Sequence, residues 1–212
     1  MIAGVAVFDF DGTVIRGDSV VALLFYARRQ GALSLGDLLR AGLGGVLYRL
    51  GLTDALTAKR AAHGFLTRLS PERREALLRD FAGELTHRAY PEALVRMRAH
   101  RERGEAVVLC SASCACYMQY VATLLPVDAL LCTPSGPDGQ AEGPNCRGQE
   151  KVRRVEEWLR EKGWTREALV AGYGDSAGDA ALLSLCREPV LVNPRRGLRR
   201  RLPGAQTVRW RI

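Results

Sequence analysis

Ile2-Ala3-Gly4-Val5-Ala6-Val7-Phe8-Asp9-Phe10-Asp11-Gly12-Thr13 is the stretch that decides how the chain is read. A run of β-forming apolar residues stops at two aspartates, Asp9 and Asp11, with one residue between them. Residues i and i+2 of a strand point the same way, so both carboxylates reach the space beyond the strand's carboxyl edge. Open α/β sheets hold their ligands at that edge. Two like charges this close raise each other's pKa unless a cation or donors offset them. The doublet therefore asks for a metal, best a hard one with oxygen ligands. Taken alone, Asp-x-Asp-Gly also reads as a turn, with one Asp capping and the other solvated. The rest of the chain separates the two readings.

The 212 residues, 47% of them hydrophobic, suffice for one good core, or for one core with a small accessory domain. The net charge of +8 favours anionic partners: phosphate esters, acidic lipid headgroups or nucleic acid. Part of that excess is one cluster, Arg195, Arg196, Arg199, Arg200 and Arg201. No zinc-finger or RNA-recognition signature accompanies it, so a solvated face is favoured over a specific nucleic-acid role. Cys110, Cys114, Cys116, Cys132, Cys146 and Cys186 are scattered, with no C-x-x-C. No signal peptide precedes the first strand, and buried thiols in a reducing cytoplasm are expected. Cys114 and Cys116 could bind a soft metal, but they lack a matching second pair. His63, His87 and His100 have no ligand-like spacing.

After the first strand, Asp18 or Ser19 can cap a helix beginning at Val20. Residues 20–88 then read as helix after helix, with apolar residues at three- and four-residue spacing, as in Leu77, Leu78, Phe81 and Leu85. Gly31, Gly51 and Ser70-Pro71 punctuate them, and Pro71 suits a first helical turn. Residues 41–48, Ala-Gly-Leu-Gly-Gly-Val-Leu-Tyr, are apolar and glycine-rich but too short to span a bilayer. Three readings compete there: a membrane-surface contact, a greasy substrate mouth, and packing within the helical insertion. The last is favoured. From Tyr90 the pattern alternates: helix 91–103, strand 106–110 running into Ser111-Ala112-Ser113, then a helix to Leu125, strand 127–132, and a loop or hairpin over 133–146. Helix 148–162, strand 168–173, helix 177–186 and a last short strand 189–192 follow. Such alternation predicts an α/β fold, a Rossmann-like doubly wound parallel sheet with helices on both faces. An all-helical cap is inserted after the first strand. The expected division is an α/β core of residues 1–16 and 89–212 and a cap of residues 17–88, hinged near 16–18 and 86–90.

Four features then sit just past strand ends: Asp9 with Asp11, Ser111, Lys151 early in its helix, and Gly174-Asp175 with Asp179. In a doubly wound sheet these ends converge on one crevice. The acids suit a divalent cation, and the hydroxyl and ammonium suit a phosphoryl group. Each has a plainer alternative. Ser111 or Ser113 can be a helix cap, Arg147 can replace Lys151 as the phosphate cation, and Asp175 and Asp179 can form an Asx-turn and a helix surface.

Asp9-Phe-Asp11-Gly-Thr13, Ser111 after an apolar strand, Lys151, and Gly174-Asp175 with Asp179 four residues on resemble the motifs of the haloacid dehalogenase superfamily, in order and over nearly the whole chain. With the helical insertion after the first motif, the chain looks like the phosphoserine-phosphatase-like subgroup. The resemblance implies a phosphomonoesterase whose cofactor is Mg²⁺. It makes Asp9 the nucleophile and Asp11 the general acid and base. Asp9, Asp11 (through its backbone carbonyl), Asp175 and Asp179 would surround the metal. Ser111 and Lys151 would hold the phosphoryl group, and Gly12, Thr13 and Ala112 would lie against the substrate. Asp9 and Asp175 must then stand within about 8 Å of each other. One departure is visible: Gly178 stands where an asparagine often precedes the second aspartate.

Substrate choice stays open at this level. By the resemblance, Asp18 sits where phosphoserine phosphatases have an acidic residue near the substrate amine, yet it also reads as an N-cap. Arg49 and Arg60 are the candidates for a substrate carboxylate. The apolar cap and basic charge suit a lipid or glycerol phosphate as well. The expected partner is a small phosphate ester, in a cytoplasmic protein with or without membrane association; specific nucleic acid is not expected, and no oligomeric state is indicated. The rivals are a phosphotransferase of the same fold and a non-enzymatic protein that binds anionic lipid or nucleic acid.

Overall fold

The first strand, β1 (Gly4–Phe8), is buried along its whole length, which marks a central strand covered on both faces. It is the hub of the computed structural model, which describes residues 2–211. Parallel pairing joins β1 to β2 (Glu105–Cys114) on one side and to β4 (Leu169–Gly174) on the other. With β3 (Ala129–Thr133), β5 (Glu188–Val192) and β6 (Gln206–Val208), the six parallel strands run in the order β3-β2-β1-β4-β5-β6. The strand order reverses between β1 and β4, and the crevice of a doubly wound sheet opens at that point.

Alternation along β1 separates the two layers. Ala6 and Phe8 join the larger core, which also takes in Met97 of α5 (Pro91–Glu102) and Tyr117 of α6 (Ala115–Leu124). Val5 and Val7 join the opposite core with Val152, Val155 and Leu159 of α7 (Gln149–Glu161). The period of two in the strand thus becomes a helix layer on each face.

Four helices stand between β1 and α5: α1 (Ser19–Arg29), α2 (Leu35–Arg49), α3 (Ala55–His63) and α4 (Pro71–Thr86). Capping explains their starts. Asp18 accepts the Val21 N–H, Ser34 and Asp37 form a capping box, Asp54 accepts the Leu56 and Thr57 N–H groups, and Pro71 follows the Ser70 cap. Leu23, Phe65, Phe81 and Leu85 from this segment enter the larger core. Its two ends lie side by side, for Ile15 pairs antiparallel with Ala89 and the Arg16 N–H donates to the Arg88 carbonyl at 3.0 Å.

Several expectations need correction. The strand placed at 106–110 runs on through Cys114, so Ser111 lies inside β2 and pairs with Cys132. The helix placed over 177–186 shrinks to α8 (Ala180–Leu183), because Asp179 accepts the Ser176 N–H and hydroxyl and closes a turn there. The strand at 189–192 is not the last: α9 (Arg196–Arg201) and β6 follow it. Residues 41–48 pack only in part. Gly44 approaches α3, where an added Cβ would lie 3.2 Å from the Ala61 Cβ, but Leu43 and Val46 are exposed. No described helix is long and apolar enough to cross a membrane.

Candidate functional site

The cleft opens at the carboxyl edge of β1 and β4. Asp9 follows β1 directly and Asp175 follows β4 directly, while the Ser176–Asp179 turn folds a third carboxylate back beneath them. One oxygen from each of Asp9, Asp175 and Asp179 falls within a span of 4.8 Å. Gly12 makes the approach possible. Its φ is +80°, and a Cβ there would stand 2.5 Å from Asp175 Oδ2.

Lys151, in the first turn of α7 and almost fully buried, bridges two of the three. Its Nζ donates to Asp9 Oδ1 at 2.6 Å and to Asp179 Oδ1 at 2.7 Å. Burial opposes charge on both sides of the Lys151–Asp179 pair. The pairing outweighs it, holding the lysine pKa above and the Asp179 pKa below its ordinary range. Asp9 and Asp175 are less well compensated. Burial, with Asp179 beside it, pushes Asp9 up to about 7 despite Lys151. Burial, with Asp9 beside it, pushes Asp175 up to about 7 despite Arg195. This pocket is short of positive charge, and three carboxylates suit a hard divalent cation.

The Asp11 side chain turns away from that cluster. It accepts the Ser19 N–H at 2.6 Å, the Ser19 hydroxyl at 3.1 Å and the Ser113 hydroxyl at 2.5 Å. Burial and the Asp18 charge push its pKa up to about 6, partly countered by these donors. Its carboxylate is thus not among the three that cluster. Thr13 is fully buried and donates to Asp9 Oδ2 at 3.3 Å, which steadies the carboxylate. Asp18 both caps α1 and lines the cleft.

Ser111 does not line the cleft; its hydroxyl is buried and accepts the Ser113 N–H at 3.0 Å. Ala112 and Ser113 are the cleft residues of that strand end. Arg49 is out of the cleft, and Arg60 donates to the Ala141 carbonyl at 3.1 Å. At Gly178 a Cβ would stand 2.9 Å from the Arg147 Nε, so glycine here admits Arg147 to the cleft wall.

Two basic residues at the cleft escaped the reading of the sequence. Arg195 follows β5 and places its Nε 3.0 Å from Asp175 Oδ2. Its place just past a strand end was the available signal. Lys59, on α3, hydrogen-bonds the Ala112 carbonyl and Asn145 Oδ1, and it lies 3.2 Å from the Thr133 hydroxyl. Only Lys59, Lys151 and Lys162 are lysines among 31 basic residues, a bias that singles out two cleft residues. All six cysteines are buried and unbridged; burial lifts Cys114 to about 11 and Cys132 and Cys186 to about 12, which makes those three inert thiols.

Three buried carboxylates bridged by a buried lysine, at the switch point of a parallel sheet, narrow the family. The sequence model of the haloacid dehalogenase-like hydrolases matches residues 6–184. The chain belongs to that family. Protein CicA of Caulobacter vibrioides is 30% identical over 188 residues, covering 85% of this chain and 82% of that protein. A histidinol-phosphatase of Neisseria meningitidis serogroup C is 27% identical, over 89% of this chain and 90% of its own. Among solved structures, a protein of unknown function from Bordetella pertussis Tohama I superposes with a TM-score of 0.87 at 25% identity, covering 98% and 99% of the two chains. A phospho-aspartyl intermediate analogue of phosphoserine phosphatase superposes at 0.68 and 17% identity, covering 98% of this chain and 93% of that one. The family and the doubly wound fold expected from the four motifs are those found. Phosphatases of this family generally use Mg²⁺, and the donor set at Asp9, Asp175 and Asp179 is chemically suited to it.

Proposed function

We propose that the protein is a Mg²⁺-dependent phosphatase that hydrolyses a phosphate monoester through an aspartyl-phosphate on Asp9. The observation that carries this is the convergence of Asp9, Asp175 and Asp179 within 4.8 Å, bridged by buried Lys151, at the sheet's switch point. In the first step an Asp9 carboxylate oxygen attacks phosphorus and the bond to the ester oxygen breaks. Asp11 gives its proton to the departing alcohol. In the second step Asp11 takes a proton from water, which attacks phosphorus and releases inorganic phosphate and free Asp9. A carboxyl group pushed up to about 6 is poised to carry a proton both ways near neutral pH. Ser19 and Ser113 hold it in place, and Thr13 and Lys151 orient Asp9.

Mg²⁺ held by Asp9, Asp175, the Asp11 carbonyl and, directly or through water, Asp179 would neutralise charge on the phosphoryl oxygens. Loose phosphoryl-transfer transition states need that neutralisation and positioning more than a strong base. Residues 17–88 would act as a cap, hinged where Ile15 pairs with Ala89. Unbridged, buried thiols support a cytoplasmic location. The test is turnover of p-nitrophenyl phosphate with Mg²⁺ by the whole protein and by Asp9→Asn. Loss in the variant is expected; full activity there overturns the mechanism. Product analysis with added acceptor alcohol would show whether the phosphoryl group passes to water or to another hydroxyl.

A further inference from the structure

The cleft opens into a second cavity of 590 Å³ between α1 and α2, within the size range of ligand pockets. Asp18, Val20, Tyr48, Arg147 and Arg195 line both, so the two spaces are continuous. Beyond that shared mouth the second cavity is walled by hydrocarbon: Leu24, Phe25, Leu38 and Val46. Phe25 is 58% exposed and Val46 54% exposed, so this apolar wall has no cover of its own.

The composition of α2 adds an independent observation. Gly42, Gly44 and Gly45 stand in mid-helix, where each costs up to about 1 kcal/mol relative to alanine. Close packing on α3 accounts for Gly44. Nothing stands within 4 Å of where a Cβ would sit at Gly42 or Gly45, yet both line the groove. Side chains there would fill the trough. Their absence keeps it open.

We infer that the groove between α1 and α2 takes the hydrocarbon chain of the substrate, so that the preferred ester is an amphiphilic, single-chain phosphate monoester. The assignment rests on the phosphatase reading for where the phosphate goes. The polarity of the double cavity matches such a molecule end to end: carboxylates and Lys151 at the reacting end, two arginines, Arg147 and Arg195, against one carboxylate, Asp18, at the junction, hydrocarbon beyond. Anionic headgroup and basic mouth are complementary, with Arg49 on the groove rim.

The test is a series of butyl, hexyl, octyl and decyl phosphate, each kept below its micelle-forming concentration, assayed with Mg²⁺. Full burial of a methylene gives about fourfold, so a half-open groove should raise kcat/KM about twofold per methylene. In Gly45→Phe the octyl-to-butyl ratio should fall to about one while the unfolding midpoint does not drop. A flat series in wild type, with butyl phosphate turned over, overturns the groove and leaves the phosphatase standing. No turnover of any ester strikes the phosphatase instead, and calorimetry then decides the groove. Octylphosphonate binding at least tenfold tighter than methylphosphonate supports it, and equal binding overturns it. A dimer that Gly45→Phe splits, with a flat series, assigns the face to a second copy and overturns the inference. Uptake onto phosphatidylglycerol vesicles without octylphosphonate binding assigns it to a bilayer and does the same.

Discussion

The carboxylate cleft and the outer face of α2 are built on opposite principles. At the cleft the carboxylates are held by donors: Asp9 and Asp179 by Lys151, Asp175 by Arg195, Asp11 by two serines. On α2, Leu39 is 71% exposed and Leu43 59% exposed, while Asp37 is buried against Ser34 and the Arg68 guanidinium. Polar groups satisfied inward and apolar groups left outward invert the usual helix pattern. The difference teaches that the cleft is a finished device, its carboxylates held by donors from the chain itself. The α2 face is an open half-contact, apolar surface that nothing among the described residues covers.

The sharpest way to break that comparison is to remove charge from the cleft. Asp9→Asn should cut turnover by at least about a thousandfold, because it removes the carboxylate proposed to attack phosphorus. The fold should survive, since the change relieves repulsion among three crowded carboxylates; a thermal melt checks it. Asp175→Asn should remove the rise in melting temperature that millimolar Mg²⁺ gives the wild type, an expectation of one-site linkage that needs no assay of activity. A Mg²⁺ shift that persists unchanged in Asp175→Asn would move the cation site elsewhere.

His63 tests the comparison from the interior. It ends α3, is fully buried against Tyr117, and neither ring nitrogen has a hydrogen-bond partner. Burial, with Lys59 nearby, pulls its pKa down to about 4 from an ordinary 6.5. The unfolded chain therefore binds a proton between those values that the folded chain refuses. Stability rises with pH through this window and falls as pH drops from about 6.5 toward 4, by about 3 kcal/mol at the limit. His63→Leu should flatten that window and leave stability at pH 8 equal or higher, since it removes a buried group without partners. Urea unfolding at pH 8, 6 and 4.5 would show it.

What was legible in the sequence follows from the range of the forces involved. Asp9 and Asp11 are fixed by one strand end, and Asp175 and Asp179 by one tight turn, so spacing alone carried them to the same edge. The end of β2 falls beyond Ser111 because Ser-Ala-Ser-Cys can continue a strand as readily as end it; pairing with β3, far along the chain, decides where it stops. Residues 41–48, expected to pack within the helical insertion, do so only in part, for a related reason. Periodicity reveals that a helix has an apolar face but not whether the fold supplies anything to cover it. The run after Asn193 was read as a charged cluster. Register with β5 turned residues 206–208 into a sixth strand and set Arg195 over Asp175.

Lys59 joins the two regions, and its replacement is the finest probe of them. It arises from α3, which packs beside Gly44 of α2, and crosses to the end of β2 and to Asn145 in the loop before α7. Burial pulls its pKa below the ordinary lysine range, with no carboxylate hydrogen-bonded to it in compensation. The ammonium thus serves as a donor to neutral oxygens, a tether between helical segment and sheet edge. If tethering is its work, Lys59→Met keeps the length and loses only the donors. KM for a small phosphate ester should then rise about tenfold, the worth of one charged hydrogen bond, while kcat stays within about twofold. A fall in kcat of a hundredfold with KM unchanged would instead put the ammonium on the phosphoryl group itself. The cleft would then owe part of its transition-state charge to the helical segment, and the separation of finished device from open half-contact would not hold.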